Sequence, residues 1–392
     1  MNIVKIECLQ LRSPLAKPGD CDGAVDTAVI RVTADNGMYG VGETDAPPNV
    51  IAALLEAPTA HIWSRSIRDL VLGANPVEVE QIWEKVYQGT IYHGRRGLGI
   101  MLLSALDIAL HDLRGKILGQ PCYRLLGGAS RERITPYATL FPSMPLGRGW
   151  PELRQDCFNL LEQGMSLGFR ALKMEALFDD LVSDRELIDF LYECRKRAGD
   201  DRVLMTDAGY RWKNWNDALR VLRAIEDARY FFVETPLATD DLDGLARLAD
   251  ATSTPVAVGE FLQTRHEFRE LMDRGHADVI QPDIGRVGGL TEALRSAALA
   301  AERGLPAIPH AWKTGLTVAA TRHFAAAAPN CPYTELFHPA LFPSLLRSKL
   351  AHPEPELSAG TWSLPEAPGL GVELDEDTVT RCLCAPVTVI AR

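Results

Sequence analysis

Asp207, Glu234 and Glu260 each close a short apolar run: Leu204-Met205-Thr206, Phe231-Phe232-Val233 and Val256-Ala257-Val258-Gly259 respectively. Three carboxylates brought together repel strongly unless a cation lies among them. A hard divalent ion with oxygen ligands suits such a set. Mg²⁺ is the first choice, because it takes a few carboxylates and keeps positions for water and substrate oxygens. One ion per subunit is therefore expected. The same placement, an ionisable residue ending an apolar run, recurs at Lys173 and Glu175, Asp283, His310 and Glu335. A single acid at a strand end is commonly a helix cap or a surface charge. That bland reading weakens when the feature recurs on strand after strand.

Such residues lie far apart in the chain, so a particular architecture must gather them. Residues 27–34 and 39–43 alternate apolar and polar around Asn36-Gly37, which predicts a hairpin. From about Pro76 to Leu118 the period becomes helical, and strands followed by helices suggest a compact α+β unit. After Gly127-Gly128 short strands alternate with amphipathic helices. Strands are expected at 134–140, 170–175, 203–207, 230–234, 255–260, 278–283, 307–310 and 333–336. Eight such repeats match a closed parallel barrel, whose strand carboxyl ends surround one mouth. Residues 353–392 are rich in Pro and Gly and are expected to pack back against the first unit. The predicted division is a cap over 1–128, a barrel over 129–352 and a tail over 353–392 that completes the cap.

Composition agrees with an ordinary globular chain: 392 residues, 46% hydrophobic and 24% charged. A formal net charge of -11 argues against a nucleic-acid binder, which needs a basic face. Eight scattered cysteines form no C-x-x-C ligand pair and read as mostly buried, reduced thiols. No apolar run approaches a membrane span, so a cytoplasmic protein with no membrane partner is expected. Gly37-Met38-Tyr39-Gly40-Val41-Gly42 lies in a hairpin with the wrong spacing for a dinucleotide loop.

These residues resemble the enolase superfamily, and within it the mandelate racemase/muconate lactonizing enzyme-like proteins. The likeness rests on Lys173-Met174-Glu175, the acids at 207, 234 and 260, Gln281-Pro282-Asp283 with Gly288-Gly289-Leu290-Thr291, Pro309-His310-Ala311-Trp312, and Glu335. It implies an α/β fold, a modified (β/α)7β TIM-like barrel with an α+β capping domain, and a homo-oligomer. It also implies removal of the proton next to a substrate carboxylate, giving an enediolate stabilised by Mg²⁺. The superfamily's Lys or His base working with Mg²⁺ is a standard illustration of this chemistry. Asp207, Glu234 and Glu260 would be the metal ligands. His310 and Asp283 would form a dyad, with Asp283 fixing the imidazole tautomer and raising its pKa. Glu335, if protonated or aided by a neighbouring donor, would hydrogen-bond the enediolate.

One position departs from the family pattern. Where mandelate racemase-like enzymes carry a second lysine as the opposite-face base, this chain has Glu175. A carboxylate near bound Mg²⁺ is a poor base, which leaves His310 to remove the proton and then protonate a departing 3-hydroxyl. Dehydration of a sugar acid to a 2-keto-3-deoxy acid is the expected reaction, by an acid-sugar dehydratase of the lyase class. A cycloisomerase or epimerase is the runner-up. A metal-free aldolase using Lys173 as a Schiff base and a non-catalytic ligand-binding barrel are the readings from other classes. Lys17, Lys313 and Trp312 are the expected substrate contacts. Asp20, Asp22 and the loop around Asp45 are expected to close over the mouth, and the polar cluster at 92–96 is a weaker candidate.

Overall fold

A computed structural model describes residues 1–17, 25–142, 147–178 and 181–392. Asp20, Asp22 and Cys21 lie outside the described residues. The amino-terminal unit is a four-stranded antiparallel sheet made from both ends of the chain. It comprises β1 (Ile3–Arg12), β2 (Asp26–Ala34), β3 (Tyr39–Thr44) and the carboxyl-terminal strand β11 (Thr388–Ala391), in the order β11-β1-β2-β3. The predicted hairpin turn is closed by Ala34 N–H donating to Met38 O at 2.9 Å. Strands β1 and β11 escape the sequence reading.

Helix α1 (Leu98–Leu118) lies directly on β3, and the two glycines there make the approach possible. A Cβ on Gly40 would stand 2.1 Å from Ala109 O, and one on Gly42 would stand 2.3 Å from Ala105 O. The glycine-rich run of the hairpin thus serves close strand-to-helix packing. Gly42→Val is expected to lower the free energy of unfolding by about 2 kcal/mol or more, since backbone must move to admit the side chain. Urea denaturation of variant and wild type measures it.

The barrel strands are β4 (Pro136–Leu140), β5 (Ala171–Glu175), β6 (Val203–Asp207), β7 (Val233–Glu234), β8 (Val256–Val258), β9 (Val279–Ile280) and β10 (Thr334–Leu336). They form one parallel sheet in the order β9-β8-β7-β6-β5-β4-β10. The seventh place, expected as a strand at 307–310, is held by a single parallel bridge between Ala307 and Ile280. Pro306 and Pro309 flank it and have no N–H to offer a ladder. Several other strands are shorter than expected, and β7 stops just before Thr235-Pro236.

Period-two alternation sorts the barrel interior into layers. Tyr137, Ala171, Met205, Phe232, Ala257, Val279 and Ile308 pack as an apolar plug. Two residues further along the strands stand Thr139, Lys173, Asp207, Glu234, Gln281 and His310. The polar layer therefore rests on a dry floor.

The cap is locked to the barrel by buried polar contacts. Glu43, fully buried at the end of β3, accepts from Thr27 Oγ1, Thr314 Oγ1 and both the N–H and Oγ1 of Thr317. Gly288 N–H donates to Ser104 Oγ at 2.8 Å, and Thr291 Oγ1 donates to Asp107 at 2.6 Å. The Gly-Gly-Leu-Thr segment is thus a joint to helix α1. Of the described cysteines all are free, and only Cys384 is exposed. Among the described residues no helix is long and apolar enough to cross a membrane.

Candidate active site

Strand register builds the acid row. Glu175 stands beside Asp207, and Asp207 beside Glu234, across β5, β6 and β7. Lys173, two residues before Glu175 on the same face, reaches into this row. Its Nζ lies 2.8 Å from Glu234 Oε2, 2.8 Å from Glu335 Oε1, 3.3 Å from Glu175 Oε1 and 4.0 Å from Asp207 Oδ2. Burial works against the ammonium, but Glu234 and Glu335 outweigh it and hold the Lys173 pKa well above its ordinary value. Lys173 is therefore a fixed cation and a poor nucleophile.

The carboxylates share that single charge unequally. Glu335 also accepts from Thr139 Oγ1 at 2.5 Å and from Ala311 N–H at 2.7 Å. Burial alone would raise it, yet Lys173 and His310 bring it down to about 2. The protonated Glu335 of the sequence reading is therefore not the favoured form, and the donors at that spot are its neighbours. Glu234 is pushed the other way: burial raises it to about 7 against the pull of Lys173. Asp207 is driven well above its ordinary value by burial and then by Glu175 and Glu234.

His310 and Asp283 meet from adjacent strand positions. Nδ1 lies 2.6 Å from Asp283 Oδ2, while Asp283 Oδ1 accepts from Gly285 N–H at 2.7 Å. The other ring nitrogen, Nε2, faces Glu260 Oε2 at 3.2 Å and Glu335 Oε2 at 3.9 Å. Burial disfavours the imidazolium and Arg286 opposes it as well. Glu335, Asp283 and Glu260 nevertheless raise His310 to about 9.

Sequence reasoning passed over three residues here. Arg286 is buried, makes a two-pronged ion pair with Asp45 Oδ2, and lies 3.7 Å from both Asp283 and Glu260. The visible signal was an arginine three residues after Asp283, inside an otherwise apolar, glycine-rich turn. Tyr210 donates its hydroxyl to Glu260 Oε1 at 2.9 Å, and Thr139 supports Glu335. Among the expected substrate contacts, Lys313 is buried and donates to Asp26 O at 2.8 Å, so it is no solvated loop lysine. Trp312 stacks on Phe337 with ring centroids 4.0 Å apart, and Lys17 is exposed on the cap. The 92–96 cluster directs its polar contacts to Ser64, Tyr87, Gln88 and Glu267.

Among the described residues, no three His, Cys, Asp or Glu side chains are drawn together as a ready metal cage. The reason is visible: Glu234 leans on Lys173, and Glu260 on Tyr210 and His310. The donor set nevertheless fits a hard cation. Glu234 Oε1 is buried with no hydrogen-bond partner, and burial penalises carboxylates that one ammonium does not balance.

An α+β cap over a parallel barrel, with acids on successive strand ends and a His-Asp pair beside them, defines a class. Residues 9–127 match the mandelate racemase/muconate lactonizing enzyme N-terminal domain, and residues 156–378 match the enolase C-terminal domain-like family. The chain belongs to the mandelate racemase/muconate lactonizing enzyme group of the enolase superfamily. The L-rhamnonate dehydratase of Saccharopolyspora erythraea is 33% identical over 365 residues, covering 91% of this chain and 85% of the relative. The arabinonate dehydratase of Saccharolobus solfataricus is 29% identical and covers 95% of each chain. The crystal structure of the 3,6-anhydro-D-galactonate cycloisomerase from Zobellia galactanivorans matches with a TM-score of 0.84 at 28% identity, over 98% of this chain and 100% of that one.

Proposed function

We propose that this protein is a Mg²⁺-dependent acid-sugar dehydratase that removes the proton next to the substrate carboxylate and expels the 3-hydroxyl as water. The observation that carries the reading is the one-sidedness of the site. His310 and Asp283 form a proton-transfer pair at 2.6 Å, whereas Glu175 and Lys173, on the strand where a second base would stand, are tied together at 3.3 Å. The names of the dehydratase relatives support the same reaction class.

Asp207, Glu234 and Glu260 would hold the cation. When bound, it supplies charge neutralisation for the acids and for the negative charge that develops on the substrate carboxylate. Asp283 accepts from Nδ1 of His310, so in the neutral ring, whose population grows as pH rises toward about 9, Nε2 is the nitrogen that accepts the α-proton. The resulting imidazolium, stabilised by Asp283, then gives that proton to the departing hydroxyl. Lys173, fixed as an ammonium by Glu335 and Glu234, offers a positive edge to developing oxyanion charge. A Schiff-base role would need Lys173 neutral, against its ion pairs.

The test is incubation of a library of aldonic and aldaric acids with protein and Mg²⁺ in deuterium oxide. Formation of a 2-keto-3-deoxy acid is the expected result. Exchange at C2 without loss of water would instead favour the second reading, an epimerase or cycloisomerase, for which the cycloisomerase likeness speaks. No turnover, no exchange and no metal binding would sink both.

A further inference from the structure

The residue after β3 carries a feature that proton abstraction does not use. Asp45 brings its carboxylate to the barrel mouth from the cap, and its side chain is 8% exposed. The placement is fixed by a close approach: a Cβ on Gly285 would stand 3.2 Å from Asp283 Oδ1, 3.4 Å from Glu43 O and 3.6 Å from Thr44 Cα. The end of β3 therefore sits directly on the loop that carries the dyad aspartate. One oxygen of Asp45, Oδ2, receives both prongs of Arg286. The other, Oδ1, is buried and finds no hydrogen-bond donor among the described residues.

Burial raises the acid, but Arg286 and Lys313 more than compensate and keep it at about 2. Asp45 is thus ionised across the working pH range and can only accept hydrogen bonds. A buried carboxylate oxygen left without a donor costs free energy, so the natural complement is a ligand O–H. An anionic group would be repelled, and an apolar one would leave the oxygen unpaired. The positive charges acting on Asp45 are those of Arg286, Lys313 and His310, so the unpartnered oxygen belongs to the site's own electrostatic neighbourhood.

We propose that Asp45 Oδ1 is the acceptor for one hydroxyl of the substrate's polyol chain, beyond C3, with Arg286 acting as the positioning residue that orients it. The inference rests on the sugar-acid reading and deepens it: the protein selects among acids sharing C1 to C3 by a hydroxyl further along.

The probes are the library acid turned over fastest and its single-deoxy analogues at each carbon beyond C3, each assayed with Mg²⁺-loaded protein for kcat/KM and by calorimetry for Kd. Wild type is expected to prefer the parent over one particular analogue by on the order of 10²-fold. In Asp45→Ala that preference should collapse toward unity, with parent and analogue reacting alike. Any general effect of losing the Arg286 tether falls equally on both substrates and cancels in the ratio. Asp45→Asn keeps an oxygen for Arg286 and serves if the alanine variant does not fold; its ratio should also fall. A ratio unchanged for every analogue would overturn the proposal while leaving the dehydratase reading intact. If wild type neither binds nor turns over any acid of the library, both fall together.

Discussion

His310→Asn is expected to lower turnover by on the order of 10⁴-fold, the upper range for loss of a positioned acid-base group, while Mg²⁺ affinity is retained. Asparagine preserves a polar side chain of similar reach near Asp283 but cannot take up and return a proton. The effect should appear in kcat and kcat/KM alike, because the lost interaction is made in the transition state. Lys173 does not stand in as a substitute base: Glu234 and Glu335 each hold its ammonium at 2.8 Å. Steady-state kinetics with isothermal titration of Mg²⁺ checks both halves. Near-normal turnover would show that another group removes the proton.

Glu234→Gln is expected to weaken Mg²⁺ binding by on the order of 10²-fold, at least the upper end of what loss of an outer-sphere partner commonly costs. Glutamine has nearly the same shape and keeps an oxygen for Lys173, so the change isolates charge. Glu234 stands centrally in the acid row, beside Asp207 in register, fully buried, with one oxygen unpartnered. Removing its charge should therefore reduce the attraction for a cation far more than it disturbs packing. Titration calorimetry measures the change directly, and an affinity equal to wild type would remove Glu234 from the ligand set.

The barrel was legible because period-two strands ending in ionisable residues recur with helical segments between them. That rhythm marks Lys173, Asp207, Glu234, Asp283 and His310 as ionisable residues at the ends of apolar runs. What it missed has physical reasons. Strands β1 and β11 pair across the whole length of the chain, and β11 is only Thr388–Ala391, too short for its alternation to register. The seventh barrel position is bounded by two prolines and makes one bridge where four residues of strand were expected.

At the site, residue types and strand positions revealed which groups converge, but not how they share charge. Whether Glu335 is neutral or ionised depends on Lys173, His310 and Thr139, which lie on three different segments. The loop around Asp45 was expected at the mouth, but its pairing with Arg286 was harder to foresee, since it joins cap to barrel across 241 positions. Neither residue ends a strand in the acid-bearing pattern, so local pattern carries no trace of their contact.

The fate of the C2 hydrogen is the most direct measurement. On the sugar acid turned over fastest, in deuterium oxide with Mg²⁺, wild type should release the C2 proton to solvent and give a 2-keto-3-deoxy product with solvent deuterium at C3. A product that keeps the original C2 hydrogen, moved to C3, would contradict transfer of that proton through His310 to the departing hydroxyl and with it the proposed mechanism.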